Sequence, residues 1–293
     1  MNPGVAAALR QQLAAGVPTI VVRVDRAQGS TPRDHDATML VTASAIEGTI
    51  GGGRLEWMAI ERARAMLREA AAHDTLDVPL GPAVGQCCGG HVQLALTRAD
   101  TVLLAALEAD EARERANWPS VVLFGAGHVG RALAVALEPL PLAVTVIETR
   151  AEYLAALPPR IRGLPSADAP AEIRVAPTRS AFVVATHSHQ LDYAITEAAL
   201  ARGDATYVGM IGSVTKRVRF ARWFAARGGD PVRLGALVCP IGGQGVRDKR
   251  PTVIAAFVAA EVLASALRAQ GNADREGRDG RNRERAGRDR PAA

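Results

Sequence analysis

The chain has 293 residues, 48% apolar and 22% charged, the balance of an ordinary globular protein with room for about two domains. Only 4% are aromatic, so its cores must be built mainly from Ala, Val, Leu and Ile. The net charge of +5 does not mark a nucleic-acid binder: seven Arg against five acids in 271–293 supply +2 of it, and the rest shows no basic stripe with interleaved aromatics.

The first residues carry no basic stretch followed by an apolar run, so a secretory leader is not expected. Residues 5–15 read as a short helix, and the β-branched run 19–25 as a strand ending in a Gln28-Gly29-Ser30-Thr31-Pro32 turn. Short strands follow at 38–42 and 46–50. Gly51, Gly52 and Gly53 then open a helix over 54–71, rich in Ala, Glu, Arg, Leu and Met. Strands at 74–78 and 91–97 flank a Gly- and Cys-rich loop, and a helix over 101–115 closes an α+β domain, 1–116.

Asn117-Trp118-Pro119 starts a new regime. Strands are expected at 120–124, 142–147, 172–176, 182–186, 207–211 and 236–239, with helices from the Gly125–Gly130 turn to about 138 and over 191–202, 215–227 and 252–269. That alternation predicts an α/β chain whose second domain, 117–270, is a Rossmann-like, doubly wound parallel sheet. The segment 252–267 contains Glu261 and is short for a bilayer span. The tail, 271–293, lacks apolar periodicity and is expected to be disordered.

Gly125, Gly127 and Gly130 lie between a strand and a helix, where such glycines allow a tight turn, close approach of a phosphate and close helix packing. Glu148, 18 residues past Gly130, stands where a ribose-binding acid would end the next strand. The same glycines also serve a fold that has lost its nucleotide, so NAD(P) is one reading and packing the other. His128 is a phosphate donor or a bystander of the turn. Gly51, Gly52 and Gly53 with Arg54 form a second candidate anion loop, against a merely permissive turn.

Gly85-Gln-Cys-Cys-Gly-Gly90 is the least ordinary stretch. Cys87 and Cys88 do not suit one disulfide or a zinc knuckle. Accessible thiolates suit a soft metal or persulfide sulfur, against burial as small hydrophobes. Three cysteines so placed point to a reduced, cytoplasmic protein. His187 and His189, with Asp192, follow a strand and open a helix; they read as a divalent-metal pair, a proton donor or hydrogen-bonded loop residues. Ser213, Lys216 and Arg217 begin another helix after a Gly-rich turn, as an anion clamp or as simple capping.

These segments together resemble the xanthine dehydrogenase accessory (XdhC/CoxI-type) family. The stretches that carry the likeness are Gly29-Ser-Thr-Pro-Arg33, Gly48-Thr-Ile-Gly-Gly-Gly53 with Leu55-Glu56, Gly85-Gln-Cys-Cys-Gly-Gly90, Phe124-Gly-Ala-Gly-His-Val-Gly130, Thr186-His-Ser-His189, Tyr207-Val-Gly-Met-Ile-Gly-Ser213 with Thr215-Lys-Arg217, and Cys239-Pro-Ile-Gly242. The family commonly has Asp where this chain has Glu148. The resemblance implies an accessory N-terminal domain and a Rossmann-like C-terminal one. It implies a chaperone in purine catabolism that binds molybdenum cofactor (molybdopterin), supports its sulfuration and delivers it to apo-xanthine dehydrogenase or a related molybdenum hydroxylase, with a cysteine desulfurase as second partner. No nucleic-acid or membrane partner is expected, and a homodimer is left open. Cys87 and Cys88 would meet molybdenum or relay sulfur, while the triple-glycine loop or the Ser213–Arg217 turn would hold the cofactor's phosphate. An NAD(P)-dependent oxidoreductase is the alternative, and a metal-dependent hydrolase centred on His187, His189 and Asp192 a third reading.

Overall fold

The computed structural model describes residues 4–29, 36–80, 90–243 and 248–288, with side chains to 271. The chain divides into two compact units, Met1–Asn117 and Trp118–Ala293.

The first unit runs α1 (Val5–Ala14), β1 (Ile20–Gln28), β2 (Thr38–Val41), β3 (Ile46–Gly48), α2 (Gly53–Glu69), β4 (His73–Pro79), β5 (His91–Arg98) and α3 (Thr101–Ala116). Its five strands form an antiparallel sheet in the order β3-β2-β1-β5-β4. Strand alternation divides β1 between two cores. Ile20, Val22 and Val24 face α2, whose Leu55, Ala59, Ala63 and Met66 recur at helical spacing. Val21 faces the opposite layer with Val5, Leu9 and Leu107. Gly4 offers α1 no side-chain cap. Buried Glu111 of α3 accepts from the Ala6 amide at 2.9 Å and satisfies one of those orphan donors.

The second unit opens with β6 (Ser120–Phe124), α4 (His128–Leu137), β7 (Ala143–Glu148), β8 (Arg162–Pro165), α5 (Ala169–Val175) and β9 (Ala181–Val184). It continues with α6 (His189–Arg202), β10 (Tyr207–Met210), α7 (Val214–Ala226), α8 (Pro231–Leu234), β11 (Leu237–Val238) and α9 (Pro251–Arg288). Every neighbouring strand pair is parallel, in the order β8-β7-β6-β9-β10-β11. Helices α4 and α9 cover one face, and α5, α6 and α7 the other. The winding reverses between β6 and β9, where such sheets leave a crevice beyond their carboxyl ends.

One expected strand is a helix. Residues 172–176 fall largely in α5, which Asp168 caps by accepting from the Ala171 amide at 3.0 Å, with proline in its first turn. Only Ala169 and Ile173, four residues apart, are buried there. The third strand is instead β8, a short sheet edge of Arg-Gly-Leu-Pro, which has no apolar alternation to announce it. A proline is tolerated there because an edge strand has a free side.

The length argument against a membrane span at 252–267 also changes. Pro251–Gly271 is long and apolar enough to cross a bilayer, by length and composition alone. In this fold Ala255, Val258, Ala259, Val262 and Ala266 bury a stripe in the core shared with α4. The helix itself continues through Arg288.

Candidate functional site

The turn between β6 and α4 is built by three glycines with different tasks. Gly125 has φ +104, and a Cβ there would stand 2.3 Å from the Ala185 carbonyl oxygen on the neighbouring strand's exit. A Cβ on Gly130 would stand 2.0 Å from the Gly125 oxygen, so the first turn of α4 lies directly on the chain it leaves. Gly127, the N-cap of α4, meets nothing within 4 Å and makes no side-chain cap bond. Above it opens a cleft of about 230 Å³, lined by Gly127, His128, Arg150, Thr186 and His187. His128 is exposed at its lip.

Glu148 closes the back of this cleft and is almost wholly buried. One carboxylate oxygen accepts from the Ala126 amide at 2.9 Å and from Arg150 Nη2 at 3.1 Å. The other accepts from the Thr149 amide and hydroxyl, the Arg150 amide and Arg150 Nε. Burial alone would raise the pKa, but Arg150 and the amides outweigh it and hold the carboxyl at about 2. Both oxygens are therefore committed to the protein. They form an internal clamp that ties the glycine turn to β7, at the position where the sequence suggests a ribose-binding acid. Arg150 is engaged in turn, lying 4.0 Å over the Tyr153 ring.

A second cleft, of about 460 Å³, adjoins the first through shared Thr186, His187 and Ile211. Its floor is a buried polar network. Lys216 Nζ donates to Asp192 and, at 2.7 Å, to the Ile211 carbonyl. Asp192 also accepts from the Thr186 amide at 3.0 Å and the Thr186 hydroxyl at 2.7 Å. Asp192 is 1% and Lys216 9% exposed, so each charge depends on the other for its solvation. Gly212 makes room for the lysine: a Cβ there would lie 2.5 Å from Lys216 Cδ. Ser188 and Ser213 cap α6 and α7, their hydroxyls accepting from the Leu191 and Lys216 amides. His187, His189, Thr215 and Arg219 complete the walls.

Comparison with known proteins places this geometry. A model described as "XdhC and CoxI family" matches residues 12–78, and one described as "XdhC Rossmann domain" matches 121–262. The chain belongs to the XdhC and CoxI family. Among curated relatives of this XdhC-family chain is the uncharacterised protein YqeB of Escherichia coli (strain K12), 29% identical over 253 residues. That match takes in 84% of this chain but 43% of YqeB, so the chain spans less than half of that relative's length. Among solved structures, a xanthine dehydrogenase from Bacillus halodurans matches with a TM-score of 0.66 over 90% of this chain and 96% of that one. At 17% identity this is a likeness of fold.

Within this XdhC-type fold, the residues singled out from sequence fall into separate places. Gly125, Gly127, Gly130, His128, Glu148, His187, His189, Ser213 and Lys216 gather at the carboxyl ends of β6, β7, β9 and β10. Arg217 does not face the cleft: its guanidinium donates to the Leu237 carbonyl and fastens α7 to β11. The metal reading of His187, His189 and Asp192 is not supported by the geometry, because Asp192 is already taken by Lys216 and Thr186. Among the described residues no group of three or more His, Cys, Asp or Glu is placed to hold a metal ion.

In the first unit, Gly51, Gly52 and Gly53 all have positive φ. The anion their turn receives is the chain's own: one Glu56 oxygen accepts from the Ile50 and Gly52 amides, each at 3.1 Å, and from the Thr49 hydroxyl. Arg54 is exposed beside it. A side chain so placed occupies two of the amides that a bound phosphate could have used. Cys87 and Cys88 lie outside the described residues.

Thr186, Asp192, Arg150 and Arg219 stand outside the cofactor-binding set that the sequence suggests. Asp192 and Thr186 belong to the loop motif, but the burial of Asp192 under Lys216 and its bond to Thr186 give no sequence signal. Arg219, three residues past Lys216 on α7 and so on the same helical face, was legible from spacing.

Proposed function

We propose that this XdhC-family chain is a cytoplasmic accessory protein that binds molybdenum cofactor, supports its sulfuration and passes it to xanthine dehydrogenase or a related molybdenum hydroxylase. The observation that carries the reading is the pair of XdhC models falling in order on the two units. The paired clefts at the winding reversal agree with it: they offer glycine backbone, a buried lysine and an exposed arginine to one elongated anionic ligand. The cofactor is cargo here, and the apo-hydroxylase and a cysteine desulfurase are the partners. Cys87 and Cys88 are assigned to the sulfur step, as adjacent thiols flanked by glycines.

The test is activation of an apo-hydroxylase in the presence of the desulfurase, comparing the native chain with Cys87→Ala, Cys88→Ala and the double variant. Bound cofactor without activation in the double variant is the expected result. Full activation by it removes the cysteines from the account.

The oxidoreductase reading keeps one point in its favour, the doubly wound strand order with open space over Gly127. The saturated carboxylate of Glu148 weighs against it, because no lone pair is left for a ribose diol.

A further inference from the structure

The two lobes of the groove differ in charge, and the difference reverses what the glycine turn suggests. In the smaller lobe the ionised Glu148 lies directly behind the turn and takes the Ala126 amide. Arg150, the lobe's cation, is spent on both Glu148 oxygens and on the Tyr153 face. What remains over Gly127 is the uncapped start of α4, with no Lys or Arg free of an acid beside it.

The larger lobe is built the other way. Asp192 is its one acid, and Lys216 and Arg219 are its two cations. An ammonium group carries three donors, and Lys216 spends one on Asp192 and one on the Ile211 carbonyl. Arg219 has no ion pair among the described residues, and neither His187 nor His189 has a ring partner there. The Thr215 hydroxyl joins them on the wall. A volume of about 460 Å³ exceeds what a bare phosphate fills and lies within the usual range of small-molecule sites.

We infer that the β10–α7 lobe, and not the glycine turn, holds the phosphate ester of this protein's ligand, with Lys216 as the fixed cation and Arg219 as the closing one. The inference rests on the groove being the ligand site, as proposed above. Either a pterin phosphate or a nucleotide supplies the same chemistry, and the glycine turn would then receive the rest of the molecule.

The experiment is calorimetric titration of the full chain with three probes: inorganic pyrophosphate, AMP and a pterin phosphate ester. The native protein is expected to bind at least one of them, more weakly as salt rises. Arg219→Ala should weaken that binding about 10-fold or more, the scale of a lost charge-assisted contact, while Arg150→Ala should leave it within about 2-fold. Lys216→Met should weaken it too. Since that lysine is buried, the exposed Arg219 carries the test if the lysine variant fails to fold. Binding that Arg150→Ala abolishes and Arg219→Ala spares overturns the inference, as does a native protein that binds none of the probes. AMP binding sensitive to Arg219 supports the lobe and counts against the pterin reading. Pterin phosphate binding insensitive to Arg219 does the reverse.

Discussion

Gly130→Ala is the sharpest test of how the site is built. The new methyl would stand 2.0 Å from the Gly125 carbonyl oxygen, whereas carbon and carbonyl oxygen normally approach to roughly 3.3 Å. Relief requires α4 to retreat by about 1.3 Å at its first turn, because the obstructing atom is backbone and has no rotamer to change. Leu133, Ala134 and Leu137 of the same helix are fully buried in the core shared with α9. A gap of about 1 Å forfeits up to about half of each contact's dispersion energy. Overpacking with that loss should cost about 3 kcal/mol, or roughly 6–12 °C in Tm for a unit of this size. Gly127→Ala is the control, since nothing lies within 4 Å of its Cβ; its cost should stay below about 1 kcal/mol, the difference in N-cap preference. Urea unfolding followed by circular dichroism, with hydrogen exchange of the β6 and α4 amides to isolate the second unit, measures both. A Gly130→Ala protein within about 0.5 kcal/mol of native would refute the close packing on which the site depends.

Three further outcomes follow from the same geometry. Glu148 is held at about 2, below its usual 4.5, so its stabilisation is fully present above pH ~4.5 and is lost as pH falls towards ~2; acid titration of the second unit's stability should be shallower in Glu148→Gln over that window. Lys216→Met leaves Asp192 buried without its cation and should cost about 3–5 kcal/mol, whereas Arg217→Ala, which removes one charged donor to the Leu237 carbonyl, should cost about 1–2 kcal/mol; chemical denaturation of each separates the two roles. Glu56→Ala strips the acceptor from the Ile50 and Gly52 amides and the Thr49 hydroxyl and should lower the first unit's stability by about 1–3 kcal/mol, with faster amide exchange at Gly52; unchanged exchange there would show that the turn does not need its internal anion.

Most elements were legible because their signals are local. Apolar runs such as 120–124, the Gly125–Gly130 turn and the Ala- and Leu-rich helices speak through periodicity and turn chemistry. β8 was not, because an edge strand of Arg-Gly-Leu-Pro owes its conformation to pairing with β7 and not to its own residues. The site was legible as a set of loops, and strand order then gathers those of the second unit at one end of its sheet. What the loops do was less legible. Glu148 has the position of a ligand-binding acid, but its partners come from Ala126, Thr149 and Arg150, only two of which adjoin it in sequence. Glu56 likewise fills the triple-glycine turn from four residues beyond Gly52, a contact that a capping-box reading of that stretch could have raised. Lys216 turns inward because Gly212 leaves it space and Asp192 waits a helix away, a relation that only the folded sheet supplies.

The central claim, that this XdhC-family chain handles molybdenum cofactor, is tested most directly by what it retains and hands on. Purified from cells that make the cofactor, the chain should carry molybdopterin, read as its fluorescent oxidised derivative after heating in acid. Mixing that protein with an apo-hydroxylase should move the pterin to the enzyme and raise its activity. A chain that retains no pterin under conditions that saturate a control carrier, and leaves the apo-enzyme inactive, contradicts the account.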